Sequence, residues 1–318
     1  YTFLSLVLSL FLTAYCHRFP GEFPHRNGNR REEMHKIGSL CSGVGGLDIA
    51  VESVYESKTV WFSDILEAAN EVFSTHWPNA TQLGDFRETE PKTVEDIDIL
   101  TAGFPCQPVS ISGVIQGKRK GTEDERWLFD EIIEWTSQLR LRPKKIILEN
   151  VQGLLSDDDG NTFRNILRAL SELGYCIRWE MVWASEAGAP HRRARVFLVA
   201  STPDSHVDRL QTVREELQLG EMRQEVEIRW GRYGEALSAW TQITGRPPPY
   251  PVLDDRTGPC PWFVEWAMGF DHGHVLDIIP NKTKALELLG NAVVWRQAKL
   301  ALEIIEDSPS LGGHDVTT

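Results

Sequence analysis

The 318-residue sequence lacks the features that mark several common classes of protein. Its five cysteines include no C-x-x-C pair, which excludes a disulfide scaffold or a cysteine zinc site and indicates free thiols in a reducing compartment. It also lacks the positive charge of a simple nucleic-acid binder, because its formal net charge is -13. Any contact with nucleic acid must therefore be local.

The sequence has no apolar run long enough to span a bilayer comfortably, and its longest, TFLSLVLSLFLTAY, is of signal-peptide length. This run has no basic leader, and Met34 stands just before the first interpretable strand. We expect residues 1–33 to be a non-native or disordered upstream extension rather than a functional signal peptide. The functional protein is then expected to begin at Met34 and to be cytoplasmic, in a bacterial or phage-infected cell.

Short apolar runs alternate with amphipathic segments from Lys36 to about Ala200, the pattern of an α/β protein. This alternation predicts a doubly wound, mostly parallel, Rossmann-like sheet. The predicted strands cover residues 36–41, 59–63, 81–85, 97–103, 144–149, 176–184 and 194–200. The predicted helices cover 47–57, 66–77, 128–139, 162–174 with Gly174 at its end, and 284–306 with a break at Gly290-Asn291.

The segment 202–281 has a different pattern, since it combines a charged amphipathic stretch with the proline-rich GRPPPYP and the turn-rich DDRTGPCP. It predicts a second, smaller and irregular domain. The main domain is then formed by residues 34–201 together with 282–306, and residues 307–318 are expected to be a disordered tail.

Polar or glycine residues follow the carboxyl ends of five predicted strands: the G-V-G-G loop at 43–46, Asp64, Asp85, Cys106 and Glu149. Ligands bind at this edge of an open parallel sheet. A glycine loop followed about 20 residues later by an acid suggests an adenosine-bearing cofactor, although such glycine turns are also common without one. The fuller G-x-G-x-x-G spacing is missing, which counts against a dinucleotide.

Cys106 lies between two prolines in GFPCQPVS. A lone cysteine is usually a small buried hydrophobe, and Glu149 with Asn150 could simply close a loop. A thiol and an acid at neighbouring strand ends nevertheless face one pocket, which favours a nucleophile and an acid acting together.

Five motifs between Met34 and about Glu306 resemble those of the DNA (cytosine-5) methyltransferase family and follow that family's order. They are IGSLCSGVGGLDIA, GFPCQPVSISG, LENVQGLL, APHRRARVFLVA and LGNAVV. The stretches RWGRYGEALSAWTQITGRPPPYP and PWFVEWAMGFDHGHV resemble compact phage-borne and bacterial members of restriction-modification type. The resemblance implies methyl transfer from S-adenosylmethionine to carbon 5 of a flipped cytosine in double-stranded DNA, through a covalent Cys106 adduct. The smaller domain would then recognise the target, and a mobile loop, ISGVIQGKRKG, would close over the flipped base.

The resemblance also implies roles for individual residues. The implied catalytic residues are Cys106, Glu149, Arg193 and Arg195. The implied cofactor contacts are Cys41, Gly43, Val44, Gly45, Gly46, Asp64 at the ribose, Ile65, Asp85 at the adenine amino group, Phe86, Phe104, Pro105, Leu128, Asn291 and Ala292. The implied DNA contacts are Gln107, Ser110, Ser112, Lys118, Arg119 and Lys120.

Four positions depart from the family pattern. Cys41 replaces a usual aromatic residue, Leu66 an acid, His191 a glutamine and Trp295 a proline. None of them is a member of the catalytic pair, so they affect the expected cofactor affinity more than the expected chemistry.

Three alternatives remain open at this point. The first is a transfer-RNA cytosine-5 methyltransferase of the same family resemblance, and the second is a catalytically idle nucleic-acid-binding protein. The third is a nicotinamide-dependent oxidoreductase, suggested only by the glycine loop and the acid. For the favoured function we expect a monomer that acts on DNA, with no metal and no membrane partner.

Overall fold

The structure is a computed structural model that describes residues 34–105, 127–203, 233–252 and 258–308. The strands in these ranges are β1 (His35–Leu40), β2 (Ser57–Ser63), β3 (Thr81–Gln82), β4 (Ile99–Ala102), β5 (Lys145–Val151), β6 (Cys176–Trp183) and β7 (Ala194–Ser201). They form one seven-stranded sheet in the order β3-β2-β1-β4-β5-β7-β6. β7 runs antiparallel to both β5 and β6, and the other neighbouring strands are parallel.

The helices in the described ranges are α1 (Gly46–Val54), α2 (Glu67–His76), α3 (Phe129–Ser137), α4 (Asn161–Glu172), α5 (Gly234–Thr244), α6 (Pro261–Ala267), α7 (Lys282–Asn291) and α8 (Trp295–Asp307). Apolar side chains of α1 and α8 pack with alternate residues of the central strands in one core cluster. Apolar side chains of α3 and α4 pack in a second cluster with the intervening strand residues. Both faces of the sheet are therefore covered, as in other parallel sheets.

The predicted α/β sheet is confirmed, and each predicted strand is present. The predicted third strand is too long, because β3 ends at Gln82 whereas the prediction extends to residue 85. Gly84 has a φ of +73°, which extended backbone does not allow, and Asp85 caps a short 3₁₀ turn over Phe86–Glu88. The predicted helix break at Gly290-Asn291 is also displaced, because α7 continues through both residues and the break lies between Asn291 and Trp295.

β1 pairs with β2 on one side and with β4 on the other. The strand order reverses at this point, and open α/β sheets bind ligands in the crevice beyond the carboxyl ends of the strands there. The chain enters α1 directly from the end of β1, so the glycine loop lies at this crevice.

Residues Met34–Ile305 form one compact unit. The division into a main and a smaller domain stays a prediction, because 204–232 and 253–257 lie outside the described residues, as do 1–33 and 309–318. Among the helices that the structure describes, none is long and apolar enough to cross a membrane.

Candidate active site

The glycine loop after β1 is shaped by close packing on one side and open space on the other. Gly43 and Gly45 have positive φ values of 55° and 83°. A Cβ at Gly45 would lie 2.3 Å from the Trp77 ring, and one at Gly46 would lie 2.3 Å from the Val293 carbonyl oxygen. A Cβ at Gly43 would meet nothing within 4 Å. The loop is therefore open on the Gly43 side, where a ligand can approach the backbone.

Asp64, the predicted ribose ligand, lies beside this loop. Its Oδ2 accepts a hydrogen bond from the Gly43 amide at 2.8 Å, and its Oδ1 accepts one from the Leu66 amide at 2.9 Å. Burial raises the pKa of its carboxyl group above the usual value, and the hydrogen bonds from the amides of Gly43, Ile65 and Leu66 only partly offset this. Ile65 itself is exposed. The carboxylate thus joins the end of β2 to the glycine loop.

Asp85, the predicted adenine ligand, is paired with Arg87. The Arg87 guanidinium donates to both carboxylate oxygens, and the Arg87 amide donates to Oδ1. These hydrogen bonds hold the pKa of Asp85 below its usual value. Phe86 is buried and packs edge-on against Trp135, with 5.9 Å between the ring centroids.

Cys41 lines the crevice but is a poor candidate for the nucleophile. Burial strongly raises the pKa of its thiol, and the nearby Asp64 and Asp85 carboxylates raise it further. A thiol that stays protonated reacts slowly, because the thiolate is the nucleophile. Its φ of 51° is also unusual for a residue other than glycine.

The segment that leads to Cys106 is held at the end of β4. Asn150 on β5 donates from Nδ2 to the Phe104 carbonyl oxygen at 3.2 Å. The Phe104 ring is buried against Trp127 at 5.5 Å between centroids, and the neighbouring Leu128 is also buried. Cys106 and the predicted DNA contacts lie outside the described residues, whereas Pro105 is the last residue described before that gap.

Glu149 and Arg195 form a buried charge pair at the crevice. Arg195 Nε lies 2.8 Å from Glu149 Oε1, and both side chains are largely shielded from solvent. The contact is not aligned as a hydrogen bond, and Oε1 has no hydrogen-bond partner among the described residues. The other oxygen, Oε2, lies 3.8 Å from the position of a Cβ added at Gly103. The carboxyl group therefore stands beside the chain that leads to Cys106.

Arg193 connects β7 to the C-terminal segment. It donates from Nη1 to the Ala292 carbonyl oxygen at 2.6 Å, and its own carbonyl oxygen accepts from Gln297 Nε2 at 2.7 Å. His191 lies 3.1 Å from the Ala267 carbonyl oxygen, and burial lowers the pKa of its imidazole. The two predicted arginines thus contact different partners, Glu149 for one and the backbone of the LGNAVV motif for the other.

A single crevice brings many of the predicted residues together. Its lining includes the predicted residues Cys41, Gly43, Val44, Gly46, Glu149, Asn291 and Ala292. It also includes residues that the sequence did not predict: Ser39, Leu40, Ser42, Leu47, Asp48, Gly103 and Val293. Most of these are small or apolar and give no local signal, but Asp48 is an acid on the apolar face of α1, which could have marked it. Among the described residues, no group of three or more His, Cys, Asp or Glu side chains is placed to hold a metal ion.

A stack of three rings supports the glycine loop. The His274 ring lies between His76, at 3.9 Å, and Phe270, at 4.6 Å, in nearly parallel planes. His274 Nε2 lies 2.8 Å from the Val44 carbonyl oxygen. A carbonyl only accepts hydrogen bonds, so Nε2 must carry the proton. Burial lowers the pKa of His274 to about 4, which keeps the ring neutral at ordinary pH.

We expect His274→Phe to loosen the glycine loop, because phenylalanine keeps the stacked ring but cannot donate to Val44. Losing one such hydrogen bond costs about 1 kcal/mol, so amide hydrogen exchange at residues 43–47 should accelerate about fivefold. Partial recovery is expected in His274→Gln, whose amide can donate. His272→Phe, at an exposed ring in the same turn, is the control, and equal exchange in all variants would contradict the assignment.

The comparison with known families agrees with this arrangement. The sequence profile described as C-5 cytosine-specific DNA methylase matches residues 35–230. The chain belongs to this family. The match includes the glycine loop, the Glu149 strand and Arg195, and it ends before the LGNAVV segment that completes the crevice.

Curated relatives and solved structures extend the comparison. The type II methyltransferase M.Bsp6I of Bacillus sp. (strain RFL6) is 36% identical over 52% of this chain and 52% of its own length. The type II methyltransferase M.HhaI of Haemophilus parahaemolyticus is 34% identical over 54% of this chain and 50% of its own length. The chain thus spans about half the length of the curated relatives it matches.

Two solved structures share the fold across most of the chain. The Entamoeba histolytica methyltransferase EhMeth aligns with a TM-score of 0.58 at 19% identity, over 87% of this chain and 99% of that one. The S. pombe Dnmt2 methyltransferase aligns with a TM-score of 0.57 at 16% identity, over 85% and 98%. At these identities the likeness concerns the fold alone.

Proposed function

We propose that this protein transfers a methyl group from S-adenosylmethionine to carbon 5 of cytosine in double-stranded DNA. The observation that carries the proposal is the buried Glu149 carboxyl group, which lies in the same crevice as the glycine loop and beside the chain leading to Cys106. Membership of a DNA methylase family and the similarity to type II methyltransferases support DNA as the polymer.

The crevice fits the proposed cofactor. The open space at Gly43 leaves its backbone accessible, and Asp64 is placed at the end of the next strand, where an acid can meet ribose hydroxyls. Asn291 and Ala292 also line the crevice. When bound, S-adenosylmethionine supplies an electrophilic methyl group on a sulfonium.

Cys106 would act on carbon 6 of the target cytosine. Its thiolate adds to that carbon, and the electron pair of the ring double bond moves to make carbon 5 a nucleophile. After the methyl group is attached, a base or water removes the carbon 5 proton, the double bond reforms and the thiolate leaves. The hydrogen bond from Asn150 to Phe104 would limit the directions in which the sulfur can approach.

Glu149 and Arg195 would stabilise the ring during this addition. A carboxyl group that donates a proton to ring nitrogen 3 offsets the negative charge that thiolate addition creates. The Arg195 guanidinium, 2.8 Å from the carboxylate, orients it and can also approach the ring carbonyl. The base must leave the duplex for these contacts to form.

A labelling experiment tests the proposal and its closest alternative. The full chain is incubated with methyl-tritiated S-adenosylmethionine and either plasmid DNA or transfer RNA, and the modified nucleoside is identified after digestion. We expect 5-methylcytosine in DNA. Label only in transfer RNA would favour the transfer-RNA alternative, whereas no transfer to either polymer would refute the proposed activity. Bisulfite sequencing of the plasmid would then identify the target sequence.

A further inference from the structure

Asp48 is a buried carboxyl group in the wall of the crevice, outside the set of predicted site residues. It is 1% exposed. Ser39 Oγ donates to its Oδ2 at 3.0 Å, and Thr101 Oγ1 donates to its Oδ1 at 3.0 Å. Ser39 lies on β1 and Thr101 on β4, the two strands that flank the point where the strand order reverses. The carboxyl group is therefore held in one orientation at that point.

Among the described residues, the surroundings of Asp48 contain negative charge and no compensating cation. Its hydrogen-bond partners on β1 and β4 are neutral hydroxyl groups. The nearby titratable groups are Glu52 on α1, together with Cys41 and Glu149 in the same crevice. Within the described residues no lysine, arginine or histidine pairs with Asp48, whereas Glu149 is paired with Arg195.

Burial, with a smaller contribution from Glu52, raises the pKa of Asp48 to about 7. A buried anion without a counter-ion is costly, and a cation that enters the same crevice would offset that cost. The two forms of the proposed cofactor differ in this respect. S-adenosylmethionine carries a sulfonium charge, and its product S-adenosylhomocysteine carries a neutral thioether at the same atom.

We propose that Asp48 is a specificity-determining residue, whose negative charge favours the sulfonium cofactor over its neutral product. This inference rests on the proposed function. An anion that attracts only the charged form would strengthen cofactor binding before the reaction and weaken product binding after it. No described residue other than Asp48 combines an uncompensated carboxyl group with a position in this crevice.

The proposal has a defined pH dependence. Asp48 is protonated below its pKa and ionised above it, so the preference for the charged cofactor should grow as the pH rises through about 7. The linkage is reciprocal: binding of the cation should lower the pKa of Asp48 and release a proton. The neutral product should release less.

The test is to measure the dissociation constants of S-adenosylmethionine and S-adenosylhomocysteine by calorimetry, on the wild-type full chain without DNA. From about pH 6 to about pH 8.5, the ratio of the two affinities should shift about fivefold towards S-adenosylmethionine, for a charge interaction of moderate strength. Repeating the titration in buffers of different ionisation enthalpy measures proton release directly, without any variant.

Asp48→Asn keeps the side-chain shape and the ability to hydrogen-bond both hydroxyl groups, but removes the charge. Its affinity ratio should be independent of pH and lower than that of the wild type at high pH. Glu180→Gln, which removes a carboxyl group outside the crevice, should keep the wild-type pH profile of the ratio. Asp48→Asn should also reduce the loss of folding stability that the wild type undergoes as the pH rises from about 4 to about 7, because it removes the contribution of Asp48 and leaves that of Asp64, whose pKa is also raised.

Each outcome is decisive. A wild-type ratio that does not change with pH, or equal proton release with both ligands, refutes the role of Asp48 even if the variant does not fold. A pH-dependent ratio that persists in Asp48→Asn assigns the effect to another group. Binding of neither ligand would refute the use of this cofactor, and the inference about Asp48 would be lost with it.

Discussion

Cys106→Ala should eliminate methyl transfer and covalent capture of DNA, while leaving the binding of S-adenosylmethionine intact. The physical reason is that only a thiolate adding to carbon 6 makes carbon 5 nucleophilic enough to take the methyl group. DNA in which 5-fluorocytosine replaces cytosine throughout is a suitable substrate, because it includes the target whatever its sequence. After transfer the fluorine stands where a proton would leave, so elimination stops and the wild-type protein should give a band that survives denaturing electrophoresis.

The other cysteines provide matched controls for this experiment. Cys41→Ser should still form the covalent band, because burial and two carboxylates keep the Cys41 thiol protonated and so unreactive. The substitution can lower cofactor affinity, because Cys41 lines the crevice. Cys260→Ser should form it at the wild-type level. A protein that methylates unmodified DNA but gives no stable band with the fluorinated DNA does not use thiol addition. A band that persists in Cys106→Ala would assign the nucleophile to another residue.

Glu149→Gln should lower the turnover number by at least about a hundredfold with little change in cofactor affinity. Glutamine keeps the shape of the side chain and can hydrogen-bond ring nitrogen 3, but it cannot give that nitrogen a proton. The substitution also leaves the Arg195 guanidinium without its charge partner, because in the wild type Arg195 Nε lies 2.8 Å from Glu149 Oε1. Pre-steady-state quenched-flow measurement of methyl transfer would isolate the chemical step from product release.

Glu180→Gln is the control for this variant. Glu149 and Glu180 lie opposite the same residue, Phe197, on the two sides of β7. The two substitutions are chemically identical and lie on the two strands that flank β7. Of the two residues, only Glu149 lines the crevice. Thermal unfolding of both variants separates catalysis from stability, because losing one member of a buried charge pair also destabilises the fold. Near wild-type turnover in Glu149→Gln would contradict its role.

Strand and helix positions could be read from the sequence because apolar periodicity is a local property. The runs KKIILE and ARVFLVA are apolar enough to predict buried strands without knowledge of their neighbours in the sheet. Gly174 follows the end of α4 and has a φ of +82°, a conformation that glycine adopts easily. The prediction failed where local backbone geometry overrides apolar pattern. Gly84 turns the chain before Asp85, so the third strand is shorter than predicted.

The identity of the strand-end residues was also available from the sequence, since polar side chains at the carboxyl ends of parallel strands meet at one edge. Their pairing was not available. The sequence placed Arg193 and Arg195 together as orienting residues, but their side chains diverge, one to the Ala292 carbonyl and the other to Glu149. Arg193 precedes β7 and Arg195 lies on it, and only the neighbouring elements decide what each one contacts.

The sequence by itself determined the α/β class, the family and the chemical groups at the strand ends, because each depends on residue type and spacing along the chain. The tertiary structure decided which groups share the crevice. It set the strand order and the antiparallel direction of β7, and it brought His274 to Val44. It also placed Asp48 beside Thr101 and away from any described cation. Each of these features depends on residues that are distant in the chain or on different elements. Such contacts depend on how the faces of the sheet and helices pack, and burial, hydrogen bonding and charge compensation arise only once that packing exists.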